Sequence, residues 1–380
     1  MNRNRNTAGR ATFVALLFLF TSSSAFTKTF DIRALWVVRD HIISKEKIDK
    51  VVEFAKINNY NHLFVQIRGR GDAYYTSQLV PRSHLLTKTD FDPLAYILTK
   101  GRQSNIKIHA WFNVYYLWSS PEIPSQSDHL LLSHPEWIDS KSPDPIDISN
   151  TIVEMKKNRQ ANGEGFYLAP THPEVDAHLQ NVLTELLQNY SLDGIHFDYI
   201  RYHDLGWGLN PIGLKYFLNY NNSMPGLPSL EVKQKPSFAE FKRSAITRFI
   251  SKASTRIKAY QPNCIISAAV KPNLLNARNT FSQEWDVWLA GGYIDWAVPM
   301  NYTMDLSTFD KNIRIMKENL SLKYLDRVVM GIATYNQNAR NAGKKIYHAG
   351  KNDFSGISVF SYTVFKNQPS YADKLIKYLK

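Results

Sequence analysis

The chain has 380 residues, of which 44% are hydrophobic and 13% aromatic; that content excludes a disordered protein and is ample for a large packed core. Lysine and arginine number 46 against 33 acids, a formal charge of +13. This excess is dispersed, so it favours anionic partners such as cell-envelope polymers, while the sequence shows no nucleic-acid recognition motif. Cys264 is the one cysteine, which excludes an intrachain disulfide and a thiolate metal cluster.

In chain order, the first element is "MNRNRNTAGRATFVALLFLFTSSSA", with three arginines, no acid, an apolar stretch from Ala11 to Phe20, and small residues at Ser23 and Ala25. It reads as an export signal over residues 1–25, too short in its apolar part to span a bilayer. The mature protein is expected to be periplasmic or extracellular, with no transmembrane segment after signal removal, and to form one domain over residues 30–380.

Eight short apolar runs follow, at 32–38, 62–68, 107–114, 194–200, 265–271, 295–302, 327–333 and 356–362. Amphipathic stretches separate them. Asp92-Pro93 supplies an N-cap and a first-turn proline before Leu94, Ile97 and Leu98. Thr171-His172-Pro173-Glu174 has capping-box spacing ahead of Val175, Leu179, Val182, Leu183 and Leu186 on one helical face. Strands apolar at nearly every position, alternating with helices, predict a parallel sheet buried on both sides. Eight units predict an α/β fold, a (β/α)₈ TIM barrel. The competing open, doubly wound sheet calls for a glycine-rich phosphate loop after the first strand, and "WVVRDHIISKEK" has none.

In a barrel, chemistry gathers at the C-terminal ends of the strands. The loops after the third and fourth strands, 115–172 and 202–235, are long and rich in Trp and Tyr, and are expected to wall an aromatic cleft. Within "DGIHFDYIRY", period-two alternation puts His196, Asp198 and Ile200 on the inward face, with Ile195, Phe197 and Tyr199 against the helices. A carboxylate at the top of a barrel is costly unless paired or used; Arg201 is a nearby cation that could hold Asp198 ionised. Other strand ends supply Arg68 and Asp72, His109, Asn113 and Tyr115, Lys271, Asn301 and Tyr302, and Tyr362, a ring of polar groups around Asp198.

The segments "RALWVV", "VQIRGRGDAYY", "DPLAYIL", "KIHAWFNVYY", "HPEW", "YLAPTHPEV", "DGIHFDYIRY", "WDVWLAGGYIDWAVPMNYT" and "GIATY" resemble, in the same order, the glycosyl-hydrolase-like family 10. The resemblance runs from about residue 30 to about 365. It implies a secreted or lipid-anchored bacterial (β/α)₈ protein with a catalytic or sugar-binding role for Asp198 and a cleft lined by Asp72, Asn113, Asn301 and Tyr302. One branch of that family cleaves peptidoglycan glycan strands stripped of their stem peptides. The strand also resembles the chitinase type, whose glutamate falls at the position of Ile200; chitinase-like substrate-assisted chemistry is therefore not expected. Val80 stands where many relatives carry an acid.

Glycoside hydrolysis ordinarily uses two carboxyls, one donating a proton and one acting as nucleophile or base. Asp198 is the first candidate, as the ionised partner; Glu284, in the loop after the fifth strand, and Asp72 are candidates for the second. Each has a structural alternative, a helix N-terminal acid for Glu284 and a loop-capping aspartate for Asp72. The 11 histidines include no HExxH pair, so no metal or other cofactor is expected. The sequence thus predicts a secreted glycoside hydrolase acting on a cell-wall or related polysaccharide. The alternative is a non-catalytic carbohydrate-binding barrel, to which Ile200 and Val80 lend weight.

Overall fold

The computed structural model describes residues 30–379 apart from 87, 89, 145, 158–163 and 223–235. The expected export signal lies outside the described residues, as do parts of both long loops. Ten strands occur among the described residues: β1 (Ile32–Val37), β2 (His62–Arg68), β3 (Lys107–Asn113), β4 (Tyr116–Trp118), β5 (Phe166–Tyr167), β6 (Gly194–Asp198), β7 (Ile265–Val270), β8 (Trp296–Pro299), β9 (Val329–Ala333) and β10 (Gly356–Phe360).

Eight of them form one parallel sheet in the order β8-β7-β6-β3-β2-β1-β10-β9. The first strand pairs with the last, Ile32 to Gly356 through Leu35 to Val359. β8 and β9 meet at a single bridge, Ala297 to Val328, which completes the (β/α)₈ barrel. Arg327 staples that seam: its Nε and Nη1 donate to the carbonyls of Asp295 and Leu289, each at 3.0 Å. β4 and β5 form a small antiparallel pair inside the long loop after β3, an element that no local sequence pattern announces.

Each barrel strand is followed by helix. Lys45–Ile57, Pro93–Gln103, Pro173–Asn189, Phe238–Tyr260, Leu306–Asn319 and Ala339–Gly350 are the long ones, and shorter pairs follow β7 and β10. Asp92 caps Pro93–Gln103 as its sequence indicates, accepting from Ala95 N at 2.9 Å. For Pro173–Asn189 the cap is His172 rather than Thr171: the imidazole Nδ1 accepts from Glu174 N at 3.2 Å. Proline at the first helical position fixes the preceding residue in extended backbone, so the cap shifts by one.

The core has two layers. Between strands and helices lies a continuous apolar shell that includes Ile195, Phe197, Phe112 and Phe249. Inside the barrel, Ala34, Trp36, Phe64, Trp111, Ala269 and Val298 pack together, with Trp36 edge-on to Trp111 at 4.7 Å and to His196 at 4.6 Å. Space there is tight enough that a Cβ at Gly194 would lie 2.2 Å from His109 Nδ1. Glycine at the start of β6 is what lets that histidine into the barrel floor.

Candidate active site

At the C-terminal mouth a cleft of about 520 Å³ opens between the strand ends. Seven of its residues frame the chemistry: Asp198, Glu164, Arg201, Lys271, Asn113, Tyr302 and Tyr199.

Asp198 ends β6 and is 5% exposed. Burial pushes its carboxyl up to about 6, against the opposing pull of the Tyr199 N–H, which donates to Oδ1 at 2.7 Å, and of the more distant Arg201 and Lys271. The following residue, Tyr199, has a φ of 50°, a left-handed conformation strained for an aromatic residue. This turn breaks the strand's alternation. Tyr199 swings into the cleft and stacks on Tyr116 at 4.4 Å, and Ile200 is buried in the outer core instead of sharing the face of Asp198.

The expected Asp198–Arg201 pair does not form. Arg201 Nη2 instead donates to both oxygens of Glu164, at 2.9 and 2.7 Å, and the Tyr167 hydroxyl donates to Glu164 Oε2. Burial alone would raise the Glu164 carboxyl, but Arg201 and Tyr167 outweigh it and hold the group below its usual value. Glu164 sits just before β5, on the β4–β5 pair. The only sequence signal for it was that "GEGFYLAP" belonged to a loop much longer than packing requires.

Lys271, at the end of β7, also faces the cleft, its ammonium 4.3 Å over the Phe281 ring. Burial and the neighbouring Arg201 bring it down to about 8, partly offset by Glu164 and Asp198. Asn113 is locked in place, its Oδ1 accepting from Trp111 Nε1 and its Nδ2 donating to Gly69 O, both at 2.8 Å. The Tyr302 hydroxyl is buried with no hydrogen-bond partner, and its ionisation is opposed first by burial and then by Asp198.

Asp198, Asn113, Arg201, Lys271 and Tyr302 are therefore brought together. The other sequence candidates are not among the residues lining the cleft. Arg68 is fully buried beneath it, its Nη1 donating to the carbonyls of Asn113 and Val114 and its guanidinium 5.0 Å from Phe112; it fixes the backbone at the end of β3. Asp72 accepts from Arg70 N at 2.8 Å and shapes its own loop. His109 pairs with His62 at 2.9 Å, and His196 with Ser267 Oγ at 2.8 Å, both deep inside the barrel. Tyr115 packs outward on Phe249 at 5.8 Å. Asn301 ties β8 to the next helix through Phe309 O and Asn312. Tyr362 packs on His41 and Phe54.

Glu284 is engaged elsewhere, 3.2 Å from Arg243 Nε and 2.9 Å from Arg278 Nη1. Two guanidiniums satisfy it at the start of a short helix, which removes it as the second carboxyl of this cleft. The loop at 202–235 supplies no described lining residue either. Its Trp207 stacks on His203 at 4.9 Å, beside the mouth. Val38, Arg39, Gln66, Arg70, Trp111, Tyr116, Ser119, Met300, Tyr335 and Phe360 complete the lining, and none was singled out from sequence. Among the described residues no group of three His, Cys, Asp or Glu side chains is placed to hold a metal ion.

A parallel eight-stranded barrel with two carboxyls in an aromatic cleft at its C-terminal mouth has the architecture of a glycosidase. The chain belongs to the glycosyl hydrolase-like 10 family, which it matches over residues 31–348. It is 24% identical over 232 residues to the glycosyl hydrolase DigH of Escherichia coli (strain K12), covering 59% of this chain and 47% of that protein. With the glycosyl hydrolase YngK of Bacillus subtilis (strain 168) it shares 23% identity over 286 residues, 68% of this chain and 49% of the other. The chain thus spans about half the length of these curated relatives. Its fold is similar to the PgaB (BpsB) glycoside hydrolase domain from Bordetella bronchiseptica, at a TM-score of 0.66 and 13% identity, over 92% of this chain and 99% of that one. It also resembles the catalytic domain of β-amylase from Paenibacillus polymyxa, at a TM-score of 0.59 and 9% identity, over 92% and 97%. At these identities the structural likeness is one of fold.

Proposed function

We propose that the chain is an exported glycoside hydrolase that cleaves a bacterial cell-wall or related polysaccharide, with denuded peptidoglycan glycan strands the first substrate to try. The observation that carries this reading is the pair of carboxyls in one cleft with opposed environments. Asp198 is pushed up to about 6 by burial, while Glu164 is held below its usual value, Arg201 and Tyr167 outweighing its burial. Two carboxyls driven apart in this way divide the roles of acid and ionised carboxylate. Asp198, expected from the sequence to be the ionised partner, takes the acid's role instead because burial raises its carboxyl, and it donates the proton to the leaving glycosidic oxygen. Glu164 keeps its negative charge toward the oxocarbenium-like transition state; water supplies the oxygen that bonds to the anomeric carbon and forms the new reducing end, and the proton it releases restores the acid. Tyr116, Tyr199 and Tyr335 offer ring faces and edges on which sugars pack.

A pH-rate profile tests the roles. The proton donor must be protonated in the free enzyme, so kcat/KM should fall as pH rises through about 6. The limb set by Glu164 should lie on the acid side of the usual glutamate value, because its carboxyl is lowered. New reducing ends from denuded glycan strands, appearing with the unsubstituted protein and lost in Asp198→Asn, are the expected result. No turnover at any pH on a panel of glycans, with binding retained, would leave the non-catalytic carbohydrate-binding reading. Export is supported by the charged, apolar and small-residue succession over residues 1–25. Mass spectrometry of the protein from its native compartment should find that segment removed, and an intact N-terminus there would overturn export.

A further inference from the structure

The cleft carries four cations, Arg39, Arg70, Arg201 and Lys271, against the two carboxyls Asp198 and Glu164. Glu164 takes up Arg201. Arg39 and Arg70 have no acidic side chain at ion-pair distance among the described residues; their contacts are a neutral amide and an aromatic ring. Arginines facing one cavity without counter-charge raise its positive potential and favour an anion there.

Both are held in place. Arg39 Nη1 donates to Gln66 Oε1 at 3.0 Å, and its stem crosses Gly69 so closely that a Cβ there would meet Arg39 Cδ at 2.8 Å. The Arg70 peptide is pinned on both sides: its N–H donates to Asp72 Oδ1 at 2.8 Å, and its carbonyl accepts from His129 Nε2 at 2.7 Å. Its guanidinium stands 5.8 Å over the Trp118 ring. Asp72 thus serves the cleft at one remove, by setting the loop that carries Arg70.

Topology separates this pair from the reacting carboxyl. Arg39 and Arg70 follow β1 and β2, whereas Asp198 and Lys271 end or follow β6 and β7, on the other side of the mouth. Tyr116 lies between them. Its phenol feels both arginines, and its ring stacks on Tyr199, next in sequence to Asp198. We propose that Arg39 and Arg70 form a subsite that reads a carboxylate on a sugar neighbouring the one whose bond is cleaved, so that the preferred substrates are acidic glycans. Planar guanidinium forks match the two oxygens of a carboxylate. The inference rests on the glycosidase reading for its biological sense, but its test does not require turnover.

The test is calorimetric binding to the Asp198→Asn protein, in which cleavage is blocked. Four probes are compared: a neutral β-1,4-linked amino-sugar hexamer, the same backbone with lactyl carboxylates on alternate sugars, that oligomer with its carboxyls reduced to alcohols, and a glycerol-phosphate polymer. The carboxylated oligomer should bind on the order of 10-fold or more tightly than the neutral and reduced ones at low salt, and the advantage should shrink as salt rises. Adding Arg39→Gln and Arg70→Gln, singly and together, should bring that ratio toward one, with the melting temperature confirming that each variant is folded. Equal affinity for the carboxylated and reduced oligomers, an advantage that survives the double substitution, or a preference for the phosphate polymer would each overturn the proposal. Cleavage of the same probes by the unsubstituted protein is scored separately. Failure to cleave any of them counts against hydrolysis, and the affinity ratio still decides the subsite.

Discussion

His196 and Asp198 stand two residues apart on the inward face of β6, and both are almost wholly buried. Around His196 the barrel is closed. Its ring stacks on Phe64 at 4.1 Å, meets Trp36 edge-on, and shares a hydrogen bond with Ser267; burial brings it down to about 3, so the ring stays neutral. The floor below is closed in the same way, with His109 Nε2 bonded to His62 and His109 Nδ1 buried without a partner. Around Asp198 the barrel is open. Its partner is one backbone N–H, its raised carboxyl faces a cleft, and the unpartnered Tyr302 hydroxyl lies in the same wall. Burial depth is nearly the same at both positions, 0% exposed at His196 and 5% at Asp198. What differs is what the polar group faces: the second ring nitrogen of His196, Nε2, is buried without a partner among packed rings, whereas Asp198 opens on a cleft that a substrate can enter.

The sharpest way to break this comparison is Asp198→Asn. If the mouth is the reactive end, turnover should fall on the order of 10³-fold or more, about 4 kcal/mol of barrier. Stability should move the other way. The folded carboxyl at about 6 lies above its usual 3.8, so the stability tied to its protonated form is complete below 3.8 and is lost as pH rises through about 6. Removing the ionisable group should therefore leave the melting temperature unchanged at pH 4 and raise it at pH 7.5, by up to about 3 kcal/mol in stability. A variant that melts early at pH 7.5 but turns over normally would return Asp198 to a structural role.

Glu164→Gln should come next, with a loss on the order of 10²-fold in kcat, since the amide cannot carry the transition-state charge. Arg201 is 3% exposed and would be left buried without its counter-charge. The penalty should be about 2 kcal/mol, below the 3–5 kcal/mol of a fully buried pair because the Glu164 side chain is 38% exposed. The converse change at the closed end, His196→Ala, should destabilise by about 3 kcal/mol through the cavity left among Phe64, Trp36 and Ser267. Its kcat per folded molecule should stay within a few-fold. A large kcat loss without loss of stability would show that the barrel interior takes part in the chemistry.

The barrel was legible because its signals are local and repeated: eight apolar runs, each followed by an amphipathic stretch, with a proline or cap marking where helices start. Asp198, Asn113, Arg201, Lys271 and Tyr302 were legible because a strand end in this fold is already a position in the cleft. Glu164 was not, because its place depends on the β4–β5 pair, a pairing of Tyr116 with Tyr167 across a loop of some 50 residues that no local periodicity announces. Period-two reasoning failed at one residue. Tyr199 turns left-handed, and beyond it the inward and outward faces exchange, which moved Tyr199 into the site and Ile200 out of it. Arg39 and Arg70 were not singled out in the sequence, since nothing local shows that no acidic side chain among the described residues lies at ion-pair distance from them.

The smallest effect expected is at Glu284, the acid that the sequence offered and the fold employs elsewhere. It is 14% exposed in its side chain and held by Arg243 and Arg278, with Arg278 reaching on to Asp286 at 2.7 Å. Glu284→Gln keeps the shape and removes the charge, so two guanidiniums lose a shared partner while Asp286 still holds one of them. A stability loss of about 1–2 kcal/mol is expected, between an exposed and a buried pair, with kcat and KM per folded molecule within about 3-fold of the parent, since Glu284 is absent from the cleft lining. Chemical denaturation and steady-state kinetics on one preparation separate the two readouts. A kcat loss comparable with that of Glu164→Gln, at unchanged stability, would mean that the short helix carrying Glu284 reaches the cleft during turnover and that the open end of the barrel extends one loop further than the folded structure places it.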